Sequence, residues 1–536
     1  MKVVIVGGVA GGATAAARIR RLSEYSEIVI YEKTNYVSYA NCGLPYYIGG
    51  SIKDRKNLTL ATVKSFWDRY RVKVNVNSEV VDIDSENKTV YVKDLLTGEI
   101  YSDSYDKLLL SPGAKAIKLK FLEGRSNVFS LRNVEDAFKI KDYIESNSVK
   151  KALIIGGGFV GVEMAENLVE LGIDVAIATI DNQLLNTVDY DIASFIHNHI
   201  RSKGVKLFFN TDTSKIDLDY DLILISIGVK PDNTLALKAN IPLDSYGAII
   251  VNEHQETSVK DIYAVGDVIS VKNIVSGEVK PITLAGIANK EARVAADNIC
   301  GIDSSFSGSL SSSVIKVFDL TVASTGINES MCKDLNIRYE KVFLSPANHA
   351  TYYPNASILS LKVIYDKDTL NILGAQAVGY DGVDKRIDVI ATAIFAKLKA
   401  TKLKDLDLVY APPYSSAKDP VNMAGFIIDN IESGLVKQFS YDDIEFIKNL
   451  DDAILLDTRT EYEYSLGHAS GFINIPLDLL RDSLDKLDKN KKVFVMCHSG
   501  MRSYLATRIL TENGYDAYNF IGGYKLYQSI THSLNI

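Results

Sequence analysis

Short apolar runs alternate with glycine turns and amphipathic stretches along the N-terminal third of the chain. Residues 3–6 predict a buried strand, residues 13–22 a helix and residues 27–32 a second strand. The glycines of residues 7–12 separate the first strand from the helix. A strand, a tight turn, a helix and a parallel strand make a βαβ unit, so this part of the chain predicts an α/β fold.

The same order of elements returns later in the chain. Residues 152–155 predict a strand, residues 162–171 a helix and residues 174–178 another strand. The turn between strand and helix, residues 156–161, reads GGGFVG and has glycine at its first, third and sixth positions. Such a turn lets the backbone approach a pyrophosphate, whose charge then faces a helix N-terminus. Two copies of the pattern predict two Rossmann-like domains and two bound dinucleotides.

The first glycine turn departs from the usual pattern at one position. It reads GGVAGG, with Val9 where the middle glycine normally stands. Glu32 ends the second strand of this unit, where an acid usually holds a ribose hydroxyl. In the second unit Thr179 stands at that place and no arginine cluster replaces the acid, so the choice between NADH and NADPH stays open. The candidate cofactor-binding residues are Gly7, Gly8, Ala10, Gly11, Gly12, Glu32, Lys33, Gly156, Gly158, Gly161 and Asp267.

The C-terminal half has a different pattern. Small polar residues over 303–313 predict a linker. Residues 314–380 then alternate as strands do, and residues 383–400 have the period of a helix. In the last hundred residues or so, an apolar strand over 492–496 delivers Cys497 into a tight loop, and residues 504–513 predict a helix.

Composition limits the classes of function. The chain has 536 residues, a formal net charge of −8 and 24% charged residues, which gives no general reason to expect binding to nucleic acid or to a membrane surface. No apolar run approaches the ~18 residues of a membrane span. The four cysteines are widely separated, form no CxxC pair and predict no metal site. We expect a cytoplasmic protein without a secretory leader, in a compartment that keeps thiols reduced.

Two cysteines lie in stretches that predict thiol chemistry. Cys42 stands in YANCGLPY, residues 39–46, where Pro45 suits the first turn of a helix. The amides and dipole at that helix end are expected to stabilise a Cys42 thiolate. Cys497 begins the loop between a strand and a helix, and this loop reads CHSGMR up to Arg502. Loop amides there would cradle an anionic group on the sulfur, and Arg502 would add charge.

These stretches carry a resemblance to known families. Residues 1–435 resemble the flavin-dependent pyridine nucleotide-disulfide oxidoreductases with a single active cysteine, in particular the coenzyme A-disulfide reductase type. Residues 440–536 resemble a rhodanese domain, whose active loop has the six-residue span from Cys497 to Arg502; a tyrosine-phosphatase loop needs one residue more. The whole chain is similar to the fused reductase–rhodanese type that reduces persulfides or polysulfides.

The resemblance implies a domain order. A FAD-binding domain would occupy residues 1–110 and 251–305, with an NAD(P)-binding domain over 111–250 between its parts. A dimerisation domain over 314–435 and the rhodanese domain over 440–536 would follow. It also implies a homodimer without a nucleic-acid or membrane partner. The expected cofactors are FAD and NADH or NADPH, with coenzyme A (CoA) as substrate or tightly bound.

The resemblance assigns roles to individual residues. Cys42 would receive electrons from the flavin and react with CoA-disulfide, CoA-persulfide or polysulfide, and Cys497 would carry a persulfide held by loop amides and Arg502. Glu32 would bind a ribose and Asp267 would lie near the ribityl chain. Tyr352 and Tyr410 would reach the active site from the other subunit, with Tyr353 and Tyr414 as adjacent alternatives. The residues that match CoA contacts are Thr14, Arg18, Arg21, Ser38, Asn41 and Lys418.

Two other functions stay open at this point. The same scaffold supports an NADH oxidase or peroxidase in which Cys42 cycles through a sulfenic acid. A sulfur-trafficking protein with a redox-sensing N-terminal part is the third hypothesis, and the intact dinucleotide motifs argue against it. Cys300 and Cys332 have no motif around them and are expected to be structural.

Overall fold

The computed structural model describes residues 1–534 of the chain. These residues form two compact units, one of residues 1–182 with 204–311 and the other of residues 183–203 with the chain from 312 onward. A helix within 183–203 therefore belongs to the second unit, although the sequence places it inside the predicted segment 111–250. The five domain boundaries themselves stay predictions.

The first stretch of the chain supplies seven strands and three helices, with a short 3-10 turn over Asn41–Gly43. The strands are β1 (Lys2–Val6), β2 (Glu27–Tyr31), β3 (Lys73–Asn75), β4 (Ser78–Asp84), β5 (Thr89–Asp94), β6 (Ile100–Ser104) and β7 (Lys107–Leu110). The helices are α1 (Ala10–Leu22), α2 (Leu44–Ile48) and α3 (Val63–Tyr70).

The next stretch runs to the end of the first unit. Its strands are β8 (Ala114–Ala116), β9 (Val128–Ser130), β10 (Lys151–Ile155), β11 (Asp174–Ala178), β12 (Lys206–Phe208), β13 (Leu222–Ile225), β14 (Val229–Pro231), β15 (Ile262–Ala264), β16 (Val271–Lys272) and β17 (Val279–Lys280). Its helices are α4 (Val134–Asn147), α5 (Phe159–Glu170), α6 (Tyr190–Ser202), α7 (Thr234–Lys238) and α8 (Ala285–Ile299), of which α6 belongs to the second unit.

The remaining chain supplies the rest of the second unit. Its strands are β18 (Ser313–Val317), β19 (Leu320–Gly326), β20 (Tyr339–Leu344), β21 (Leu359–Asp366), β22 (Ile372–Gly379), β23 (Lys437–Phe439), β24 (Ala453–Asp457), β25 (Ile473–Asn474), β26 (Lys492–Met496) and β27 (Ala517–Phe520). Its helices are α9 (Glu329–Asp334), α10 (Val383–Phe395), α11 (Pro420–Glu432), α12 (Ile444–Lys448), α13 (Glu461–Ser465), α14 (Leu477–Leu480), α15 (Met501–Glu512) and α16 (Gly523–Leu534).

Two parallel sheets organise the first unit. The sheet with order β15-β7-β1-β2-β3 contains the first βαβ unit, and the sheet with order β12-β11-β10-β13-β9 contains the second. Their central strands, β1 and β10, are buried almost throughout, as expected for parallel strands covered on both faces. In both sheets a glycine turn therefore leaves the carboxyl end of a central strand, which is the usual place for a ligand site in an open α/β sheet.

The second unit combines an antiparallel and a parallel sheet. The order β18-β19-β22-β21-β20 is antiparallel throughout, which agrees with the alternating pattern of residues 314–380. The order β23-β27-β26-β24-β25 is parallel and carries Cys497 directly after its central strand β26. The mixed α/β fold predicted from the sequence is confirmed.

A buried cluster of charges joins α6 to the antiparallel sheet. Lys362 on β21 has no exposed surface, and its ammonium lies 2.9 Å from Asp189 and 2.7 Å from Asp191. It also pairs with Glu329, which Lys341 contacts at 2.8 Å. Three carboxylates around one buried lysine are stable only while that cation is present, because a buried charge needs a partner.

Replacement of Lys362 by Met should therefore lower the free energy of unfolding of this unit by about 3–5 kcal/mol, since it leaves the three carboxylates without their central cation. Chemical denaturation followed by circular dichroism measures the change. Lys367→Met is the matched control, because this lysine follows the same strand and its side chain is 53% exposed. Equal stability of the two variants would contradict the structural role of the cluster.

Candidate active sites

The two glycine turns have the same close contact. A Cβ atom on Gly12 would lie 1.9 Å from the Gly7 carbonyl oxygen, and one on Gly161 would lie 2.3 Å from the Gly156 carbonyl oxygen. Only glycine at the sixth position lets the helix lie this close to its own turn. Gly7 and Gly156 have positive φ angles of 90° and 115°, which favour glycine as well.

The helix ends that face these turns suit a bound phosphate. Within residues 1–534, no side chain caps α1 or α5, and neither helix has an acid in its first turn. Their first amides thus keep donors for an anion. Across the second turn, a Cβ on Gly158 would meet no atom within 4 Å, which leaves space for a ligand to approach the backbone. Both turns fit the dinucleotides predicted for them.

Glu32 and Asp267 border the first turn. Glu32 is buried; its Oε2 accepts a hydrogen bond from the Gly8 amide at 2.9 Å and its Oε1 accepts two from Thr34. A carboxylate has about four acceptor positions, so Glu32 keeps capacity for a ribose hydroxyl. Asp267 follows β15 and accepts a bond of 2.6 Å from Arg132. Lys33 points to Asp232, with 3.5 Å between the ammonium and the carboxylate.

Cys42 lies in the 3-10 turn directly before α2, as the position of Pro45 predicted, and its thiol is exposed. Helix α2 packs against α4 and α5. The expectation of a stabilised Cys42 thiolate is wrong for the chain described here. Partial desolvation raises the pKa of Cys42, and the negative charges of Glu163 and Asp267 raise it further. A helix of only five residues does not outweigh these effects.

Glu163 is a site residue that the sequence analysis missed. It lies on α5 two residues after Gly161, and its carboxyl pairs with the Tyr46 hydroxyl four residues beyond Cys42. Burial and the neighbouring Glu166 raise the pKa of Glu163 to about 7. This carboxyl can therefore hold or release a proton near Cys42 at neutral pH. Its place just after a dinucleotide turn was the only signal in the sequence.

The residues predicted to contact CoA fall into different surroundings. Thr14 donates to Asn289 at 2.8 Å, and the Arg18 guanidinium pairs with Asp297 at 2.7 Å, so both bind α8. Of the two arginines on α1 that match CoA contacts, Arg18 is thus partly neutralised, whereas Arg21 is exposed.

Three further candidates complete this set. Ser38 has a positive φ of 50°, and its amide donates to the Gly8 carbonyl at 2.8 Å, which joins the Cys42 loop to the first glycine turn. Asn41 has a buried Oδ1 without a partner within residues 1–534, so it keeps an acceptor beside Cys42. Lys418 is exposed and belongs to the second unit.

Tyr352 and Tyr410 lie together in the second unit. Their hydroxyls are 2.8 Å apart, although 58 residues separate them in sequence. The side chains are 75% and 48% exposed. Tyr353 packs edge-on against His349, with 5.8 Å between the ring centroids, and Tyr414 is exposed. The structure thus pairs the two tyrosines of first choice, and the roles of all four stay predictions.

The Cys497 loop surrounds its sulfur with donors. The thiol is buried, its Sγ accepts a hydrogen bond from the Gly500 amide at 3.1 Å, and Ser503 Oγ lies 3.3 Å away. Helix α16 also contacts this loop, because the Tyr524 amide donates a hydrogen bond to the Cys497 carbonyl at 2.7 Å. Donors aimed at one sulfur stabilise negative charge there. Ser503 was not predicted, although it follows Arg502 directly.

Arg502 is held by a carboxylate that the sequence analysis also missed. Both Nη atoms of Arg502 donate to Glu463, each at 2.7 Å. These bonds lower the pKa of Glu463 to about 2. Glu463 completes a capping box with Thr460, a signal that indicates a helix start and not a site. Asp457 and Arg459 form a buried ion pair, and His468 stacks on Tyr464.

Comparisons with known proteins identify the parts of the chain. The family model described as pyridine nucleotide-disulphide oxidoreductase matches residues 1–292, and the dimerisation domain of that family matches residues 312–420. The chain belongs to the pyridine nucleotide-disulphide oxidoreductase family. A rhodanese-like domain model matches residues 443–530. The FAD and nicotinamide cofactors predicted from the sequence are those of this oxidoreductase family.

Individual relatives are similar over most of the chain. A coenzyme A disulfide reductase of Staphylococcus aureus is 38% identical over 438 residues, which are 79% of this chain and 99% of that protein. The structure of reduced Bacillus anthracis CoADR-RHD is 46% identical, with a TM-score of 0.96 over 99% of this chain and 98% of its own.

A NAD-dependent persulfide reductase from A. fulgidus is 34% identical, with a TM-score of 0.92 over 98% of this chain and 100% of its own. A water-forming NADH oxidase from Lactobacillus brevis shares the fold at 24% identity. No helix within residues 1–534 has both the length and the apolar character to cross a bilayer.

The environment of Cys42 leads to a test of its electrostatics. Glu163→Gln removes a negative charge near the thiol, so the pKa of Cys42 should fall and alkylation by iodoacetamide at pH 7 should become about threefold faster. Glu170→Gln, at the exposed end of the same helix, is the control. Unchanged alkylation of the Glu163 variant would mean that Glu163 does not set the reactivity of this thiol.

Proposed function

We propose that this oxidoreductase uses NADH or NADPH to reduce CoA-linked sulfur–sulfur bonds at Cys42, and that its rhodanese domain moves sulfane sulfur through Cys497. One observation carries the proposal: the chain has two thiols in sites of different kinds. Cys42 is exposed, its loop is bonded to the first glycine turn and the helix after it packs against α5, whereas Cys497 lies in a loop of sulfur-directed donors. The relatives named as coenzyme A disulfide reductase and persulfide reductase support the same substrate class.

Cys42 would react as a nucleophile on the sulfur attached to CoA. Attack on CoA-disulfide expels a CoA thiolate, attack on CoA-persulfide expels hydrosulfide, and either forms a Cys42–CoA disulfide. Two electrons and a proton then return a Cys42 thiolate and a CoA thiol. The first glycine turn would hold FAD and the second a nicotinamide nucleotide, and these cofactors, when bound, would supply the electron pair. Glu163 would hold the proton near Cys42, and the Tyr352 and Tyr410 hydroxyls would orient the leaving thiolate.

Cys497 would supply the sulfur from which the CoA-persulfide substrate is made. It would take a sulfane sulfur from a donor and carry it as a persulfide, whose charge the Gly500 amide and the Ser503 hydroxyl stabilise. Attack of a CoA thiolate on the outer sulfur would release the Cys497 thiolate and give CoA-persulfide, the substrate of Cys42. CoA would thus move sulfur between the two thiols.

The remaining site residues fit this scheme as follows. The subunit that holds Cys42 would contact CoA through Thr14, Arg21, Ser38 and Asn41. Arg18 would also contact CoA while its guanidinium stays paired with Asp297. Lys418 and the tyrosine pair would act from the partner of a homodimer, because the match to the dimerisation domain supports a two-subunit enzyme. We place the protein in the cytoplasm, where thiols stay reduced.

Replacement of Cys42 by Ser tests the reductase function. We expect CoA-disulfide-dependent and CoA-persulfide-dependent oxidation of NADH to fall by about 10³-fold or more, because serine cannot form the mixed disulfide. Anaerobic bleaching of the flavin by NADH should persist, since it does not need the thiol. Cys300→Ser, at a half-buried thiol, is the control and should leave both rates intact. Persistent persulfide turnover would refute the role of Cys42, and faster NADH oxidation with oxygen than with CoA substrates would favour the oxidase alternative.

Replacement of Cys497 by Ser separates the two activities. Transfer of sulfane sulfur from thiosulfate to a thiol acceptor should be abolished, because the carrier sulfur is lost. Reduction of CoA-disulfide should keep its kcat and KM. The buried Cys332→Ser variant controls for the loss of a thiol in the same unit. Equal loss of both activities would show that Cys497 serves the reductase step itself.

A further inference from the structure

The two tyrosines lie on separate loops, and it is their side chains that are exposed. Tyr352 follows β20, and Tyr410 lies between α10 and α11. Both side chains are largely exposed, yet their hydroxyls meet at 2.8 Å. Because exposed side chains and loops have many accessible conformations, something beneath the loops must hold their backbones for this contact to persist.

Arg386 lies beneath both loops. It is on α10 and only 1% of it is exposed. Its Nη2 donates to the Asn348 carbonyl at 2.9 Å, at the start of the first loop. The same nitrogen donates to Ser415 Oγ at 3.1 Å and to Asp419 Oδ2 at 3.0 Å, at the end of the second loop. One guanidinium therefore fixes both loops from below.

The contacts around Arg386 join the loops directly. The Ala350 amide donates to the Ser415 carbonyl at 3.1 Å, and the Ser415 hydroxyl donates to Asp419 at 2.7 Å. Asp419 also caps α11, since its other oxygen accepts from the Val421 amide at 3.0 Å. Displacement of Arg386 would thus disturb the loop of Tyr352 and the loop of Tyr410 together.

The surroundings of the guanidinium are specific for arginine. Its Nη1 donates to the Gly382 carbonyl at 3.0 Å, and a Cβ on Gly382 would lie 2.2 Å from that nitrogen. Lysine has one point charge and no planar fork, so it cannot reach the two loops and this carbonyl in the same way. Within residues 1–534 the Nε of Arg386 is buried without an acceptor, which costs stability. Because a buried ion pair with an unsatisfied donor adds little stability, stability alone does not explain why arginine stands at this position.

We propose that Arg386 is a positioning residue for the tyrosine pair: it holds the two loops so that the Tyr352 and Tyr410 hydroxyls stay together in the geometry that turnover requires. The inference rests on the proposed function, in which these hydroxyls orient the CoA thiolate that Cys42 expels from the substrate. Arg386 itself would touch no substrate.

Arg386→Lys in the full-length, FAD-loaded enzyme tests this role. We expect kcat with CoA-disulfide to fall about tenfold, as for a reacting group that is misplaced by a fraction of an ångström to an ångström. Anaerobic reduction of the flavin by NADH should keep its rate. Ile390→Val, one turn further along α10 and fully buried, is the control for a general loss of packing and should leave both rates unchanged.

A double-mutant cycle distinguishes positioning from a purely structural role. If Arg386 acts through the tyrosines, then Arg386→Lys should change kcat less than twofold once Tyr352 and Tyr410 are both Phe. An equal tenfold loss in that background would overturn the inference, and so would an unchanged kcat in the native background.

Two further results keep the test decisive. If Arg386→Lys does not fold, Ser415→Ala replaces it, since it removes the hydroxyl between Arg386 and Asp419 and should show the same dependence on the tyrosines. If the Tyr352→Phe and Tyr410→Phe variants keep full turnover, the tyrosine part of the proposed function is wrong, and so is the inference on Arg386. The reductase role of Cys42 is tested independently by the Cys42→Ser assay.

Discussion

The close contact of a helix with its own glycine turn is the constraint on which the reductase part depends. At Gly12 and at Gly161, the carbonyl oxygen of the first glycine of the turn lies so close that no room is left for a Cβ atom. This contact sets where α1 and α5 begin, and hence where their first amides point. It also sets what these helices present further along: Thr14 and Arg18 on α1, and Glu163 on α5. A side chain at either glycine would shift the phosphate donors and these groups together.

The two thiols lie in opposite electrostatic surroundings. Cys42 is partly desolvated and has the carboxylates of Glu163 and Asp267 near it, and both effects raise its pKa. Cys497 is buried, with an amide and a hydroxyl near its sulfur. A thiol that must alternate between a disulfide and a reduced form benefits from proton donors nearby, whereas a sulfur that carries a persulfide benefits from fixed hydrogen-bond donors. Each environment therefore suits the step proposed for it.

Local patterns in the sequence were enough to predict what depends on neighbours in the chain. The strand before each glycine turn and the strand before Cys497 have the predicted ends to within a residue, because apolar runs and glycines mark them directly. Features that join distant residues were out of reach. The Arg18–Asp297 and Arg502–Glu463 pairs each need the fold to bring their members together. The raised pKa of Cys42 was missed for the same reason, since the desolvation of the thiol and the nearby charge of Glu163 both depend on how distant residues come together.

The carboxylate of Glu463 has a consequence for how this domain can change. Its Oε2 accepts from the amide and the hydroxyl of Thr460 and from Arg502, and its Oε1 accepts from Arg502 again. One side chain thus closes the start of a helix and anchors the cation of the sulfur loop. A substitution of Glu463 therefore changes the stability of the helix start and the position of the Arg502 guanidinium together. Only residues that satisfy both requirements can replace it during evolution.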